Sequence, residues 1–73
     1  MTVVSETMQV RVTRASGERA FAGVCFSFAG VTARRAAELA ADACASLGVT
    51  DVDCFEVFDE QGCVRYIRYE VIA

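Results

Sequence analysis

The chain is short and acidic, and its apolar content is typical of a small folded domain. It has 73 residues with a net charge of −3 and a pI near 4.7, and 55% of the residues are hydrophobic. This composition excludes a disordered chain, and the acidic balance argues against non-specific binding of duplex nucleic acid, which needs a basic surface. No run approaches the ~20 consecutive apolar residues of a membrane-spanning helix.

The N-terminal residues, from Met1 to Glu6, do not show the charged-then-apolar layout of a signal peptide. We therefore expect a cytoplasmic protein with reduced thiols, folded as a single domain over residues 1–73 in which residues 1–5 are flexible. The cysteines have no metal-type spacing and the chain has no histidine, so we predict neither a metal site nor a cofactor. We interpret them as small apolar residues of the fold: Cys25, Cys44, Cys54 and Cys63.

The first predicted element is a half-buried strand over residues 7–13, where apolar and polar side chains alternate. Gly17 suits a three-residue hairpin loop, because such a loop needs one residue with positive φ. This loop places Val10 opposite Ala22, and the returning strand continues the same apolar face as far as Phe28. The hydrophobic pattern thus predicts an N-terminal hairpin with one buried face.

A helix is predicted from Ala33 to Leu47, with Thr32 as its N-cap and Gly48 just after its C-terminus. Apolar side chains recur at helical spacing and form one narrow stripe, as expected for a helix that lies on a sheet. The stripe consists of Ala36, Leu39, Ala40, Ala43 and Leu47.

Arg34 and Arg35 lie in the first turn of this helix, where the macrodipole disfavours positive charge by ~0.3–1 kcal/mol each. A residue choice that conflicts with local structure can mark a functional surface, so both arginines are secondary candidates for partner binding. Alternatively, Glu38 lies within reach of both and neutralises them. We favour neutralisation by Glu38.

A second hairpin is predicted, with strands over residues 52–58 and 63–72. The loop type used for the first hairpin gives three opposed pairs: Phe58 with Val64, Val57 with Arg65, and Phe55 with Ile67. On this register Ile67 and Tyr69 face the helix, whereas Tyr66 and Arg68 lie on the opposite face. The predicted fold class is α+β, in the order ββαββ, with a four-stranded mainly antiparallel sheet and one helix packed on one face.

One helix covers only one face of such a sheet, yet several strands carry apolar side chains on both faces. We therefore predict that the uncovered face binds a partner, because it combines aromatic residues with arginine, a mixture enriched in interfaces. Acidic residues near the tip of the second hairpin add a negative edge suited to a basic partner. The predicted partner-binding residues are Arg11, Phe21, Glu56, Phe58, Asp59, Glu60, Val64, Tyr66 and Arg68.

These features predict a protein-interaction module, most specifically an inhibitor that binds a larger nucleic-acid-handling complex. The alternatives are a homodimer or larger oligomer assembled through the open sheet face, and a platform that stacks single-stranded RNA on the aromatic rings. No catalytic residues are predicted, because a cysteine nucleophile without histidine lacks its usual proton shuttle.

Residues 16–48 resemble some small phage-encoded anti-CRISPR proteins, in their turn Ser16-Gly17-Glu18-Arg19 and in the segment Val31-Thr32-Ala33 that opens an alanine-rich helix. Those proteins are also short and acidic, with an early hairpin, one helix and a closing hairpin. The resemblance implies binding to a CRISPR surveillance complex or its nuclease, with loss of DNA recognition or of nuclease recruitment. It assigns no role to individual residues, because that family shares no sequence motif.

Overall fold

The computed structural model describes residues 6–14 and 25–70, with only the backbone of Cys25. Within this part of the chain there are four strands and one helix: β1 (Thr7–Arg14), β2 (Cys25–Ala29), α1 (Ala33–Ser46), β3 (Val52–Phe58) and β4 (Val64–Tyr69). The strands form one sheet in the order β2-β1-β3-β4, and every neighbouring pair is antiparallel. The helix packs on one face, so the predicted α+β fold in the order ββαββ is confirmed.

The hydrophobic core lies between α1 and the face of the sheet that α1 covers. In β1 every second side chain is buried, as the alternating pattern predicts. The helix contributes only small buried side chains, which allow its backbone to lie close to the sheet. The buried core consists of Met8, Val10, Val12, Ala36, Ala37, Ala40, Cys44, Val52, Phe55 and Val57.

Both ends of α1 are capped by the residues that the sequence indicates. Thr32 has extended backbone angles, and its hydroxyl accepts a hydrogen bond of 3.1 Å from the N–H of Arg35. At the other end Gly48 has φ of 76°, and the N–H of Val49 donates to the carbonyl of Cys44 in a Schellman motif. Leu47, predicted to face the sheet, instead forms the C-cap and is 63% exposed. No helix in the described residues is long and apolar enough to cross a membrane.

The register of β1 against β2 differs from the prediction. Val10 lies opposite Phe26 instead of Ala22, a shift of four residues along β2. An even shift keeps the same side chains on the same face, so the hydrophobic pattern fits both registers equally well. The observed register brings Phe26 and Phe28 against the core, where phenylalanine buries more apolar area than alanine. The predicted loop, together with Ala20, Phe21 and Ala22, lies outside the described residues.

The register of β3 against β4 is correct at the turn and wrong beyond it. Phe58 lies opposite Val64 as predicted, but a bulge follows, and Val57 then lies opposite Tyr66 instead of Arg65. Arg65 is the additional residue, because it has no pairing partner on β3. Since the side chains of a strand alternate between faces, this one-residue shift moves every later side chain of β4 to the other face.

A second irregularity, between Thr13 and Arg14 of β1, affects the start of β3. There Arg14 lies opposite Val52, and Asp53 is passed over in the register. Strict alternation along β3 would place Val52 on the same face as Cys54, but this irregularity leaves Val52 buried in the core. Cys54 is buried as well but does not belong to that core cluster.

Candidate functional site

The candidate site is the face of the sheet opposite α1, which we call the open face. Its members are the side chains that alternate with the core residues of β1 and β3, and those paired with them on the neighbouring strands. Among the described side chains, from β2 to β4, the open face carries Ser27, Ala29, Thr7, Gln9, Arg11, Thr13, Cys54, Glu56, Phe58, Val64, Ile67 and Tyr69.

The apolar part of the open face lies on β3 and β4. Val64, Ile67 and Tyr69 are 51%, 40% and 72% exposed, and Phe58 beside them is half-buried. We call these four residues the open-face patch. Apart from Leu47, they include every large hydrophobic residue that is exposed in the described part of the chain. Such residues are normally scattered over a protein surface, so their concentration on one hairpin marks this patch as the candidate site.

One positive and one negative side chain border the patch on its β1 side. Arg11 lies opposite Glu56, and its guanidinium carbon is 5.2 Å from the centre of the Phe58 ring. This distance is within the range of a cation–π contact. Stacking on the arginine holds one side of the ring, so Phe58 presents its remaining surface in a defined orientation. The prediction that Arg11, Glu56, Phe58 and Val64 share the uncovered face agrees with this register.

The bulge moves two predicted members off the open face. Tyr66 and Arg68 lie opposite Val57 and Phe55, which are core residues, so they belong to the face that α1 covers. There they line a shallow cleft together with Arg34 and Glu38 of α1. Their places on the open face are taken by Ile67 and Tyr69, which the sequence placed against the helix. Phe21, the remaining aromatic candidate, lies outside the described residues.

The secondary candidates in the first helical turn differ in their partners. Arg35 makes a 3.9 Å ion pair with Glu38, in agreement with the neutralising role predicted for that acid. Arg34 borders the cleft with Glu38 but makes no such ion pair with it in the described structure. Both ends of the Arg35 pair are about half exposed, so the pair contributes at most about 0.5 kcal/mol.

The acidic residues of the second hairpin are largely engaged within the chain. Asp51 pairs with Arg14, with 2.7 Å between Oδ1 and Nε. An exposed carboxylate oxygen of Glu60 accepts a 2.9 Å hydrogen bond from the N–H of Thr7 and so ties the turn to β1. Glu60 and Glu56 remain at the surface, whereas Asp59 is buried and is not part of the open face.

Asp59 holds the turn between β3 and β4. Its Oδ1 accepts hydrogen bonds of 2.9 Å from the N–H groups of both Gln61 and Cys63, and its Oδ2 lies 3.5 Å from Nη1 of Arg65. The hydrogen bond from Cys63, with those from Gln61 and Arg65, keeps the pKa of this carboxyl below its ordinary value despite the opposing effect of burial. Arg65 also reaches Glu6, 3.7 Å away, which fixes the bulged residue.

We expect Asp59 to make stability depend on pH at the acid end. Because folding lowers its pKa, the carboxylate stabilises the fold above its ordinary pKa of about 3.9, and this contribution disappears as the pH falls through the lower folded value. Asp59→Asn keeps an acceptor oxygen but cannot ionise. Its urea midpoint should fall below that of the wild type at about pH 7, and the difference should shrink at about pH 3.

The matched control for this prediction is Asp53→Asn, because Asp53 is exposed and lies outside the turn. It should keep the pH dependence of the wild type. A difference between the wild type and Asp59→Asn that is as large in acid as at neutral pH would mean that the Asp59 charge does not stabilise the turn.

The thiols in the described part of the chain are free, and they differ in exposure. Cys44 and Cys54 are buried, in agreement with their interpretation as small apolar residues, whereas Cys63 at the turn is exposed. Burial raises the pKa of the Cys44 thiol, which keeps it protonated and unreactive. No group of three histidine, cysteine or acidic side chains is placed to hold a metal ion in residues 6–14 and 25–70.

Comparison of the chain with protein-family models, with curated protein sequences and with solved structures found no match. What this chain binds is therefore inferred from its surface.

Proposed function

We propose that this chain is a protein-interaction module that binds a protein partner through the open-face patch. The observation that carries the proposal is the concentration of exposed Val64, Ile67 and Tyr69 beside Phe58 on one hairpin. Burying one such side chain completely is worth ~1.5–3 kcal/mol, so a partner that covers the patch gains a large part of a typical binding free energy.

The partner that fits best is a basic protein. The chain carries a net charge of −3, and Glu56 and Glu60 are surface acids on the hairpin that bears the patch. Opposite charge accelerates association and fixes the orientation of a partner more than it adds affinity. The narrower form of the proposal is inhibition of a nucleic-acid-handling complex in the cytoplasm, since such complexes expose basic surfaces. The resemblance to anti-CRISPR proteins supports this form.

The second candidate is self-association through the open face. Arg11 and Glu56 lie side by side there, so a copy related by a two-fold axis can place each of these residues against the opposite charge. Comparing the size of the purified wild type with that of Tyr69→Ala separates the candidates, because only self-association through the open face is weakened when a patch side chain is removed. Salt-sensitive retention on single-stranded RNA would instead support the RNA-stacking alternative.

The deciding experiment compares two exposed apolar residues, one inside the patch and one outside it. Tyr69→Ala removes the most exposed side chain of the patch, whereas Leu47→Ala removes one of similar exposure at the end of α1. With the full chain immobilised and extract from the source cell applied, Tyr69→Ala should weaken retention of a basic protein at least about tenfold. Leu47→Ala should retain that protein as the wild type does.

The narrower form requires one further result from the same experiment. An added oligonucleotide should displace the retained protein, because nucleic acid and this chain would compete for one basic surface. If Tyr69→Ala and Leu47→Ala retain the protein equally, the open-face patch is not the binding surface. If the oligonucleotide does not displace it, the partner's nucleic-acid site is not involved.

A further inference from the structure

Beyond its faces, the sheet has an edge at β4 that is open to pairing. Among the described residues β4 pairs only with β3, and no other described strand lies along its outer side. Natural edge strands are usually protected by charged side chains, proline, bulges or covering elements, because an unprotected edge recruits another strand. β4 has a bulge at Arg65, but from Tyr66 to Tyr69 its pairing with β3 is regular. The chain contains neither lysine nor proline, and three of the exposed hydrophobic residues lie on β4.

The hydrogen bonds of the hairpin show which β4 groups point outward. The N–H of Glu70 donates a 2.9 Å hydrogen bond to the carbonyl of Asp53, so the backbone of Glu70 faces β3. In an antiparallel ladder this orientation alternates, and therefore Arg68 and Tyr66 also face β3. The N–H and C=O groups of Ile67 and Tyr69 consequently point away from the sheet.

We propose that β4 pairs with β4 of a second copy, antiparallel and about a two-fold axis, to form one continuous eight-stranded sheet. The axis passes between Ile67 and its equivalent, which exchange both N–H···O=C hydrogen bonds. In this register Tyr66 lies opposite Arg68 of the second copy, and Arg68 lies opposite Tyr66. These pairs are of the closer, non-hydrogen-bonded type, which suits stacking of a guanidinium on a ring.

The neighbouring two-fold registers fit less well. Opposed residues must lie on the same face, so the register can change only in steps of two residues. One step in one direction sets Arg68 directly against Arg68 of the second copy, and like charges in that position are destabilising. One step in the other direction relies on Val64 and Arg65, where the bulge interrupts the regular pleat. In the register centred on Ile67 the bulged Arg65 lies only in the outer pair, opposite Tyr69 of the second copy, and no like charges are directly opposed.

Pairing at this edge is compatible with partner binding at the open face, because it uses the backbone of β4 and leaves the patch on one side of the joined sheet. It also places two copies of the patch next to each other. The two sites therefore have separate tests: partner capture reports on side chains of the face, and backbone protection reports on the edge.

Hydrogen exchange measured by NMR, together with sedimentation velocity, tests the edge pairing. In a monomer the N–H groups of Ile67 and Tyr69 face solvent and exchange rapidly, whereas those of Tyr66 and Arg68 are protected. As the chain concentration rises, we expect a dimer to form and the Ile67 and Tyr69 amides to become protected. A monomer at all concentrations up to about 1 mM would overturn the proposal.

Two lysine substitutions of exposed residues distinguish edge pairing from face pairing. Ile67→Lys sets two ammonium groups directly opposite each other across the two-fold axis, so the dimer should dissociate at least about tenfold more readily. Val64→Lys adds the same charge to the patch but lies beyond the bulge and away from the two-fold axis, so dimerisation should persist. Equal loss in both variants, or a dimer whose Ile67 and Tyr69 amides stay unprotected, would show that the copies meet through their open faces and would overturn the edge pairing.

Discussion

Phe55→Ala is expected to remove most of the stability of the fold. Phe55 is 2% exposed and is the largest fully buried side chain of the core. Replacing a buried phenylalanine with alanine costs about 3–5 kcal/mol, since it loses transfer free energy and leaves a cavity. A domain of 73 residues has a total stability of about 4–11 kcal/mol at ~0.05–0.15 kcal/mol per residue. Urea denaturation followed by circular dichroism should therefore show a variant that is partly or wholly unfolded without denaturant.

Phe58→Ala is the matched control, because Phe58 lies on the same strand but on the open face. Its ring is half-buried under Arg11, so the loss should stay below about 1.5 kcal/mol. The variant should remain folded. If the two variants lose similar stability, Phe58 is as much a core residue as Phe55, and the open-face patch loses one of its two aromatic members.

The element types and their order follow from local signals in the sequence. The helix begins at an N-cap threonine and ends at Gly48, and its small apolar stripe predicts contact with a sheet. The alternation in β1 predicts which of its side chains are buried, and the structure agrees. Each of these signals depends on residues within a few positions of one another, so no knowledge of the tertiary structure is needed to interpret them.

Strand register is less predictable because it depends on loop geometry and on packing between distant residues. For β1 and β2, the pattern permits any even shift, and burial of Phe26 and Phe28 selects a register four residues from the predicted one. The error does not change which face is buried. A wrong register with the right parity therefore leaves the predicted face of Arg11 intact.

In β4 the error in register moves the side chains after Arg65 to the other face of the sheet. It therefore changes which residues belong to the candidate site. The sequence from Val64 to Tyr69 has apolar residues at positions 64, 66, 67 and 69, so neither face is favoured by alternation alone. The bulge at Arg65 decides between them. The available signal was Asp59, whose carboxylate organises the turn and attracts the Arg65 guanidinium, but its effect on register is visible only once the tertiary contacts with Glu6 are known. Predicting Ile67 and Tyr69 as surface residues required that information.

Ala40→Leu is expected to separate the helix from the sheet. Ala36, Ala37 and Ala40 are fully buried, so α1 lies against β1 and β3 with no space for a longer side chain. Overpacking of this kind costs about 1–3 kcal/mol, which lowers the Tm of a domain of this size by at least about 4 °C. Thermal unfolding followed by circular dichroism measures the shift. Leucine has nearly the same helix propensity as alanine and is more hydrophobic. A loss of stability in Ala40→Leu therefore reports on the lack of space between α1 and the sheet.

Ala45→Leu provides the same substitution on the exposed side of α1, where packing imposes no limit. It should change stability by no more than about 0.5 kcal/mol, since surface substitutions away from special features are nearly neutral. If Ala40→Leu were as stable as Ala45→Leu, the helix could move away from the sheet at little cost in free energy. In that case the small residues of α1 would not set its distance from the sheet. The two faces of the sheet would then differ less in how tightly they are packed than the buried alanines indicate.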